Sequence, residues 1–195
     1  MLEGLLVDLV PYGKEYLERE SEWVNSDAWF WASVGDRPIV TKAQVKRHAE
    51  ERAERIERGR PYRVTFGIQA KDGKPLGDMA LNWILPHSRI SMLGAAIGDP
   101  DYWGGGYGTD ALLLLADYAF EWMDMRKLWL TTMSPNARVL RQMEKVGFTL
   151  EARQRESYWA DGVLADAMIY GMLREEWPGR LAMIERLGLK ARKEG

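Results

Sequence analysis

The apolar residues of this chain fall in short runs and helical stripes separated by turn residues, and they predict a series of alternating elements. Leu5 to Val10 reads as a strand stopped by Pro11, and Lys14 to Trp23 alternates charged and apolar groups at the helical period. Asn25 to Pro38 reads as a loop with an aromatic cluster, Trp29, Phe30 and Trp31. Thr41 caps a helix running to about Arg58 and ended by Gly59 and Pro61. Its apolar stripe is narrow (Val45, Ala49, Ala53, Ile56), and Lys46/Glu50 and Glu51/Arg55 pair at i,i+4. Arg63 to Ala70, Leu76 to Leu85 and Ser91 to Ile97 read as three strands joined by turns at 71–74 and 86–89. Thr109 to Trp122 is apolar nearly all round, the mark of a helix buried on more than one side. Lys127 to Met133 is a strand, and Asn136 to Val146 a helix that Gly147 stops. Thr149 to Tyr158 and Leu164 to Leu173 flank an Asp161-Gly162 turn, and Pro178 to Leu189 is a short amphipathic helix carrying Leu181, Ile184 and Leu187.

The order β-α-α-β-β-β-α-β-α-β-β predicts an α+β fold, a mostly antiparallel mixed sheet of about seven strands with helices on both faces. No repeat or linker interrupts it, so one domain is expected over residues 1–195, with a core over 4–177 and a C-terminal helix and tail over 178–195. The 195 residues are 46% hydrophobic and 29% charged, which fits one compact soluble domain. A formal net charge of −2 gives no global field for nucleic acid or an anionic membrane, so neither is an expected partner. The cations of the 42–58 helix are interleaved with glutamates and read as a solvated face. The chain has no cysteine, which excludes disulfides, thiolate catalysis and a cysteine acyl-enzyme. His48 and His87 stand far apart, so no metal site is expected. With no basic leader ahead of Asp8 and no apolar run near bilayer length, a cytoplasmic protein is expected.

The segment Ile97-Gly-Asp-Pro-Asp-Tyr-Trp-Gly-Gly-Gly-Tyr-Gly-Thr-Asp-Ala111 carries the most chemistry. An apolar run from Met92 to Ile97 enters a turn with Gly104, Gly105, Gly106 and Gly108, and a helix pattern follows at once. Consecutive amides without side chains, at the positive end of a helix, suit a phosphate or pyrophosphate. A P-loop needs a Lys-Ser/Thr pair after its last glycine, and Gly108-Thr109-Asp110 has no lysine. The dinucleotide fingerprint is matched at Gly106, Gly108 and Ala111, but strand 128–133 lacks the acidic end that would hold a ribose. The acyl-coenzyme A loop R/Q-x-x-G-x-G/A is satisfied at Gly106 and Gly108, with Trp103 in the Arg/Gln slot. A calcium loop fails because Trp103 takes a ligand position and Asp110 is a poor bidentate ligand. An ordinary glycine-rich turn is the bland alternative.

The segment Asn136-Ala-Arg-Val-Leu-Arg-Gln-Met-Glu-Lys-Val-Gly-Phe148 resembles the N-x-R-A-x-R-x-Y-E-K-x-G-F segment of GNAT-superfamily N-acetyltransferases. Glu156 to Asp166 and Met172 to Trp177 look like the closing hairpin of that superfamily. The resemblance covers roughly residues 4 to 177 and is nearest to the branch of ribosomal-protein N-terminal and spermidine acetyltransferases.

That resemblance implies acetyl-CoA as acyl donor, an amine acceptor, and a strand splay near the glycine loop. It implies that Ala95, Ala96 and Ile97 pair with the pantetheine arm. The pyrophosphate would take amides from Gly104, Gly105, Gly106, Tyr107, Gly108 and Thr109, with the Thr109 hydroxyl as a further donor, while the Tyr107 ring packs. Asn136 matches the asparagine near the thioester and also suits an N-cap. The acceptor pocket lies between the first helices and the closing hairpin, which brings in Trp31, Asn82 and Tyr158, with most tryptophans expected in the core.

The implied reaction is direct attack of an amine on the thioester, with no covalent enzyme intermediate. Here the family's usual proton-donating tyrosine aligns with Met143, and a glutamate often found on the strand before the loop aligns with Met92. An acceptor of low pKa would need little help: an α-amine is roughly a tenth to a fifth neutral at pH 7, a lysine about one part in 2,500. A relay through water, Asp99, Asp101 or Tyr158 is the other route. The acceptor would be a peptide N-terminus, a polyamine-like molecule or another small amine. The competing reading is an acyl-CoA-binding GNAT domain with little or no catalysis; a nicotinamide-dependent oxidoreductase is a remoter one. Many relatives are dimers, so a homodimer is expected.

Overall fold

The computed structural model describes residues 1–35, 39–57 and 62–191. Eight strands form one sheet in the order β1-β2-β3-β4-β5-β6-β8-β7. They are β1 (Leu2–Glu3), β2 (Val7–Pro11), β3 (Val64–Ala70), β4 (Pro75–Leu85), β5 (Ile90–Ile97), β6 (Lys127–Met133), β7 (Thr149–Ala160) and β8 (Val163–Leu173). Neighbours are antiparallel except β5 and β6, which run parallel. The strand beyond the expected set is β1, a two-residue pairing too short to carry a period.

The helices are α1 (Lys14–Trp23), α2 (Asp27–Ala32), α3 (Lys42–Glu57), α4 (Tyr107–Asp117), α5 (Ala137–Val146) and α6 (Arg180–Leu187). The stretch expected to be a loop after Asn25 therefore contains α2. Ser26 starts it: its Oγ accepts from Ala28 N–H at 3.2 Å and donates to Trp23 O at 2.6 Å. Three adjacent aromatics blur the helical period there, and only Phe30 of the three is fully buried. At α3 the expected Thr41 cap is a reciprocal box, with Thr41 N–H on Gln44 Oε1 at 2.9 Å and Gln44 N–H on Thr41 Oγ1 at 3.3 Å. The side chains of Ala49, Ala53, Arg55 and Ile56, and the stop at Gly59 and Pro61, lie outside the described residues. So does the end of the 25–38 stretch at Asp36, Arg37 and Pro38. The long apolar helix expected to Trp122 closes at Asp117 and passes into a wider turn, in which Met123 N–H reaches Tyr118 O at 3.1 Å.

Alternation along β6 fixes the two faces of the sheet. Leu128 and Leu130 join the large core with α4 and α5, while Met133 joins Phe30 of α2 on the opposite face. The centre of that core is α4, buried continuously from Asp110 to Ala116. Asp110 is fully buried in its first turn, and its Oδ2 accepts from the amides of Leu6 at 2.7 Å and Val7 at 3.2 Å. Its Oδ1 lies 3.6 Å from Arg180 Nη2 at the start of α6, close enough for charge attraction and too far for a hydrogen bond. Among the described residues, no helix is long and apolar enough to cross a membrane.

One group in this fold is badly served. The Tyr16 hydroxyl is buried without a hydrogen-bond partner, and burial, reinforced by Glu15, pushes its pKa up to about 12. Tyr16→Phe removes an unsatisfied polar atom without changing the ring that lies under Gly67. A gain of about 1 kcal/mol is expected, seen as a thermal midpoint roughly 2–4 °C higher in a melting experiment.

Candidate active site

β5 and β6 pair only at Ile90–Lys127, Ser91–Leu128 and Met92–Trp129. Beyond those three pairs the strands part, while β6 continues alongside β8 as far as Met133. The expected splay is therefore present. A cavity of about 720 Å³ occupies it, walled by Met92–Ile97 of β5 and Leu130–Thr132 of β6. On one face it extends to the glycine turn and α5, and on the other to Ala28, Trp31, Val34 and Tyr158. It thus runs through the sheet. The parted edge of β5 leaves main-chain groups with no strand opposite, the arrangement that lets an extended ligand pair as a strand would.

At the glycine end, Asp99 shapes the turn. Its Oδ1 accepts from Asp101 N–H at 3.1 Å and its Oδ2 takes Lys74 Nζ at 2.8 Å. The Lys74 hydrogen bond leads in holding the Asp99 carboxyl below the usual carboxylate range. Asp99 is thus ionised at neutral pH and engaged, and Asp101 is exposed off the cavity wall, so neither is placed to relay a proton. Gly104 and Gly106 sit at φ +80° and +92°, a region that disfavours side chains, and Gly106 is the N-cap of α4. Helical bonding begins at Asp110 N–H on Gly106 O at 2.9 Å, so the positive end of α4 opens at the glycine turn beside the cavity. Thr109 Oγ1 accepts from Gln142 Nε2 at 3.2 Å, which ties this turn to α5.

Trp103, in the slot where the family motif has Arg or Gln, donates from its indole to Ile97 O at 2.8 Å. That carbonyl is therefore already engaged. The Arg138 guanidinium lies 4.0 Å over the Trp103 ring, and burial lowers its pKa. Arg138, Arg141 and Lys145 share one side of α5 at spacings of three and four and all reach the cavity wall. They are the charged side chains of that wall among the described residues. Sequence reasoning passed over this stripe, although its spacing was visible. It also missed Leu187 and Leu189, which close the same end from the chain's C-terminal part.

Of the expected site residues, Ala95, Ala96, Ile97, Gly104, Gly106, Gly108, Thr109, Asn136, Trp31 and Tyr158 all line the cavity. Gly105, Tyr107 and Asn82 are not on its wall. Tyr107 packs edge-on against Tyr102 with ring centres 4.9 Å apart. The Asn82 amide covers Gly94, where its Nδ2 would lie 2.6 Å from a Cβ. Asn136 serves as the N-cap of α5, accepting from Val139 N–H at 3.4 Å and donating to Thr132 Oγ1 at 3.1 Å. At the far end of α5, Gly147 is left-handed at φ +96° and closes the helix on Met143 O and Glu144 O. Met143 is 2% exposed, and Met92 also lines the cavity. Neither thioether can donate or take up a proton.

Across the splay, Tyr158 Oη lies 3.3 Å from Thr131 Oγ1. Tyr158 owes its place to a break in β7. Gln154 pairs with Ala167 and Tyr158 with Ala165, so residues 155–157 all face Asp166. Asp166 Oδ1 accepts from Glu156 N–H at 2.9 Å, Oδ2 pairs with Arg153, and Asp166 N–H donates to Ser134 Oγ at 3.1 Å. The Glu156 amide, then Arg153, hold the Asp166 carboxyl below the usual range. A lowered folded-state pKa means the anchor is complete above the ordinary carboxylate range and is lost only as pH falls through the lowered value.

An acetyltransferase (GNAT) domain model matches residues 9–149. A Bacillus subtilis protein named as a probable N-acetyltransferase, YjcK, is 30% identical over 90% of this chain and 98% of its own. YdaF of the same organism, named provisionally as a ribosomal N-acetyltransferase, is 28% identical over 62% of this chain and 67% of its own. Spermidine N-acetyltransferase from Vibrio cholerae, crystallised with CoA and spermine, superposes with a TM-score of 0.76 at 16% identity, covering 88% of this chain and 97% of that one, and shows the shared fold. The chain belongs to the GNAT acetyltransferase family, and it is an N-acetyltransferase that uses acetyl-CoA.

Proposed function

We propose that this protein passes the acetyl group of acetyl-CoA directly to a primary amine of low pKa, of which a peptide α-amine is the type. The carrying observation is the passage through the sheet, from the glycine turn and the cations of α5 to Trp31, Val34 and Tyr158 at the other end of the same cavity. In this reading the diphosphate sits against Gly104, Gly106 and Gly108, with Arg138, Arg141 and Lys145 neutralising the phosphates. The pantetheine arm runs along Ala95 and Ala96, Asn136 stands near the thioester, and the amine enters beside Trp31. Transfer is direct, since the chain offers no cysteine for an acyl-enzyme.

YdaF is named for ribosomal acetylation and the Vibrio enzyme for spermidine, and those two kinds of acceptor are the candidates weighed for this chain. In this reading the acceptor is of the first kind, and the lack of a base at Met92 supports it. Met92 lines the cavity where the family resemblance implies a glutamate and cannot take up a proton, so in this reading the amine arrives neutral, which favours α-amines over lysine-like amines by a few hundredfold in reactive fraction.

Thiol release from acetyl-CoA across an amine panel tests this. At pH 7, kcat/KM for α-amino acceptors is expected to exceed that for ε-amines and spermidine by about 100-fold. The pH at which kcat/KM levels off should track the pKa of each amine. An inflection fixed across amines would instead reveal an enzyme base. Tight acetyl-CoA binding with no release from any amine would favour the acyl-CoA-binding reading.

A further inference from the structure

Amine acetylation leaves a thiolate that needs a proton, and Met143, where the family resemblance implies a proton-donating tyrosine, cannot supply it. Among the described residues the cavity wall holds five hydroxyls: Tyr102, Thr109, Thr131, Thr132 and Tyr158. Thr109 and Thr132 accept from Gln142 and Asn136 on the α5 side, and an aliphatic alcohol is a poor acid. Tyr102 stands at the diphosphate end, with Lys74 4.8 Å over its ring, a pantetheine arm's length from any thioester. Tyr158 remains, at the opposite end of the cavity, on the acceptor side of the splay.

With Thr131 as the donor of their mutual bond, Tyr158 keeps its own proton free. Two hydroxyls 3.3 Å apart need one hydrogen for their mutual bond, so the other is available to a third atom. Thr131 lies two residues beyond the last β5–β6 pair, at the mouth of the parted strands. The break in β7 places two extra residues ahead of Tyr158, which takes the place opposite Ala165 that the upstream register would give to Glu156. Asp166 holds that break, so the carboxylate acts as a positioning residue for the phenol.

Resting on the reading above, the geometry points to Tyr158 as the group that protonates the departing CoA sulfur, with Thr131 as its hydrogen-bond donor. As nitrogen bonds to the acetyl carbon, the carbon–sulfur bond breaks and its electron pair leaves on sulfur. The Tyr158 proton passes to that sulfur, and the Thr131 hydroxyl, keeping its own hydrogen, stabilises the phenolate oxygen by a hydrogen bond. The surplus proton on the acylated nitrogen then returns to Tyr158. Amine and thioester have become amide and thiol, with nothing oxidised.

Tyr158→Phe keeps the ring and removes the proton. Its kcat is expected to fall about 30-fold, Thr131→Val about fivefold, and acetyl-CoA Kd by calorimetry to stay within twofold in both. A binding measurement separates this inference from the acceptor reading. At pH 9, where free CoA is mostly thiolate, the wild type should prefer CoA over desulfo-CoA, and Tyr158→Phe should lose most of that preference. Unchanged preference in the variant, or a kcat within threefold of wild type, overturns the assignment. A wild type silent toward every amine would refute the proposed acceptor chemistry, while the desulfo-CoA comparison would still decide for or against Tyr158.

Discussion

Asp110→Ala is expected to unfold this protein about 10 °C earlier than the wild type. The carboxylate is fully buried, and both oxygens have work: Oδ2 receives the Leu6 and Val7 amides, and Oδ1 faces the Arg180 guanidinium. Truncation leaves two amides without an acceptor and a guanidinium without its counter-charge. Each loss is of order 1–3 kcal/mol, so the total should be about 3–4 kcal/mol, at roughly 2–4 °C per kcal/mol for a chain of this size. Asp110→Asn keeps an oxygen for both amides but gives up the charge facing Arg180, and should lose about half as much. Thermal melts of the three proteins at one pH check the order. A change under about 3 °C for Asp110→Ala would mean that the beginning of β2 and the beginning of α6 are held by something else.

Arg138→Glu is expected to raise the acetyl-CoA Kd about 100-fold, a loss near 2.7 kcal/mol. Arg138 is partly withdrawn from water and stacked on Trp103, and its guanidinium stands beside the turn where the diphosphate would lie. Charge-assisted bonds to phosphate are strong in such a setting, and reversal adds repulsion to their loss. Two comparisons make the measurement specific. Acetyl-pantetheine, which lacks the diphosphate, should bind both proteins alike. Added salt should weaken acetyl-CoA binding to the wild type more than to the variant. Equal weakening toward both donors would move Arg138 away from the phosphates.

Much of the fold was readable in the sequence because its signals are local. The run 127–133 is bounded as a strand by charge on one side and a Ser-Pro turn on the other, and the observed β6 has the same ends. Asn136 and Gly147 announce the ends of α5 through capping chemistry that needs only a few residues. The failures have equally physical causes. In α2 three adjacent aromatics serve different surroundings, so no single face is apolar. β1 is shorter than any period. At the site, the glycine turn and Tyr158 could be singled out, but their union through a parted sheet depends on a tertiary register. The engagement of Ile97 O by Trp103 and the loan of a cation from Arg138 belong to the same class. Those contacts join residues from different elements, and no spacing rule encodes them.

The interruption in β7 has a second consequence, for what the sheet does at its rim. β7 is the outermost strand, exposed from Thr149 to Ser157, and an open rim of that length invites a foreign chain to add itself. Here the run of main-chain groups is broken at 155–157, and Glu151, Arg153, Arg155 and Glu156 place charge along it. The opposite rim is only two residues long. A sheet that keeps a gap open in its middle thus presents neither outer edge as a long, flat, uncharged template for another chain.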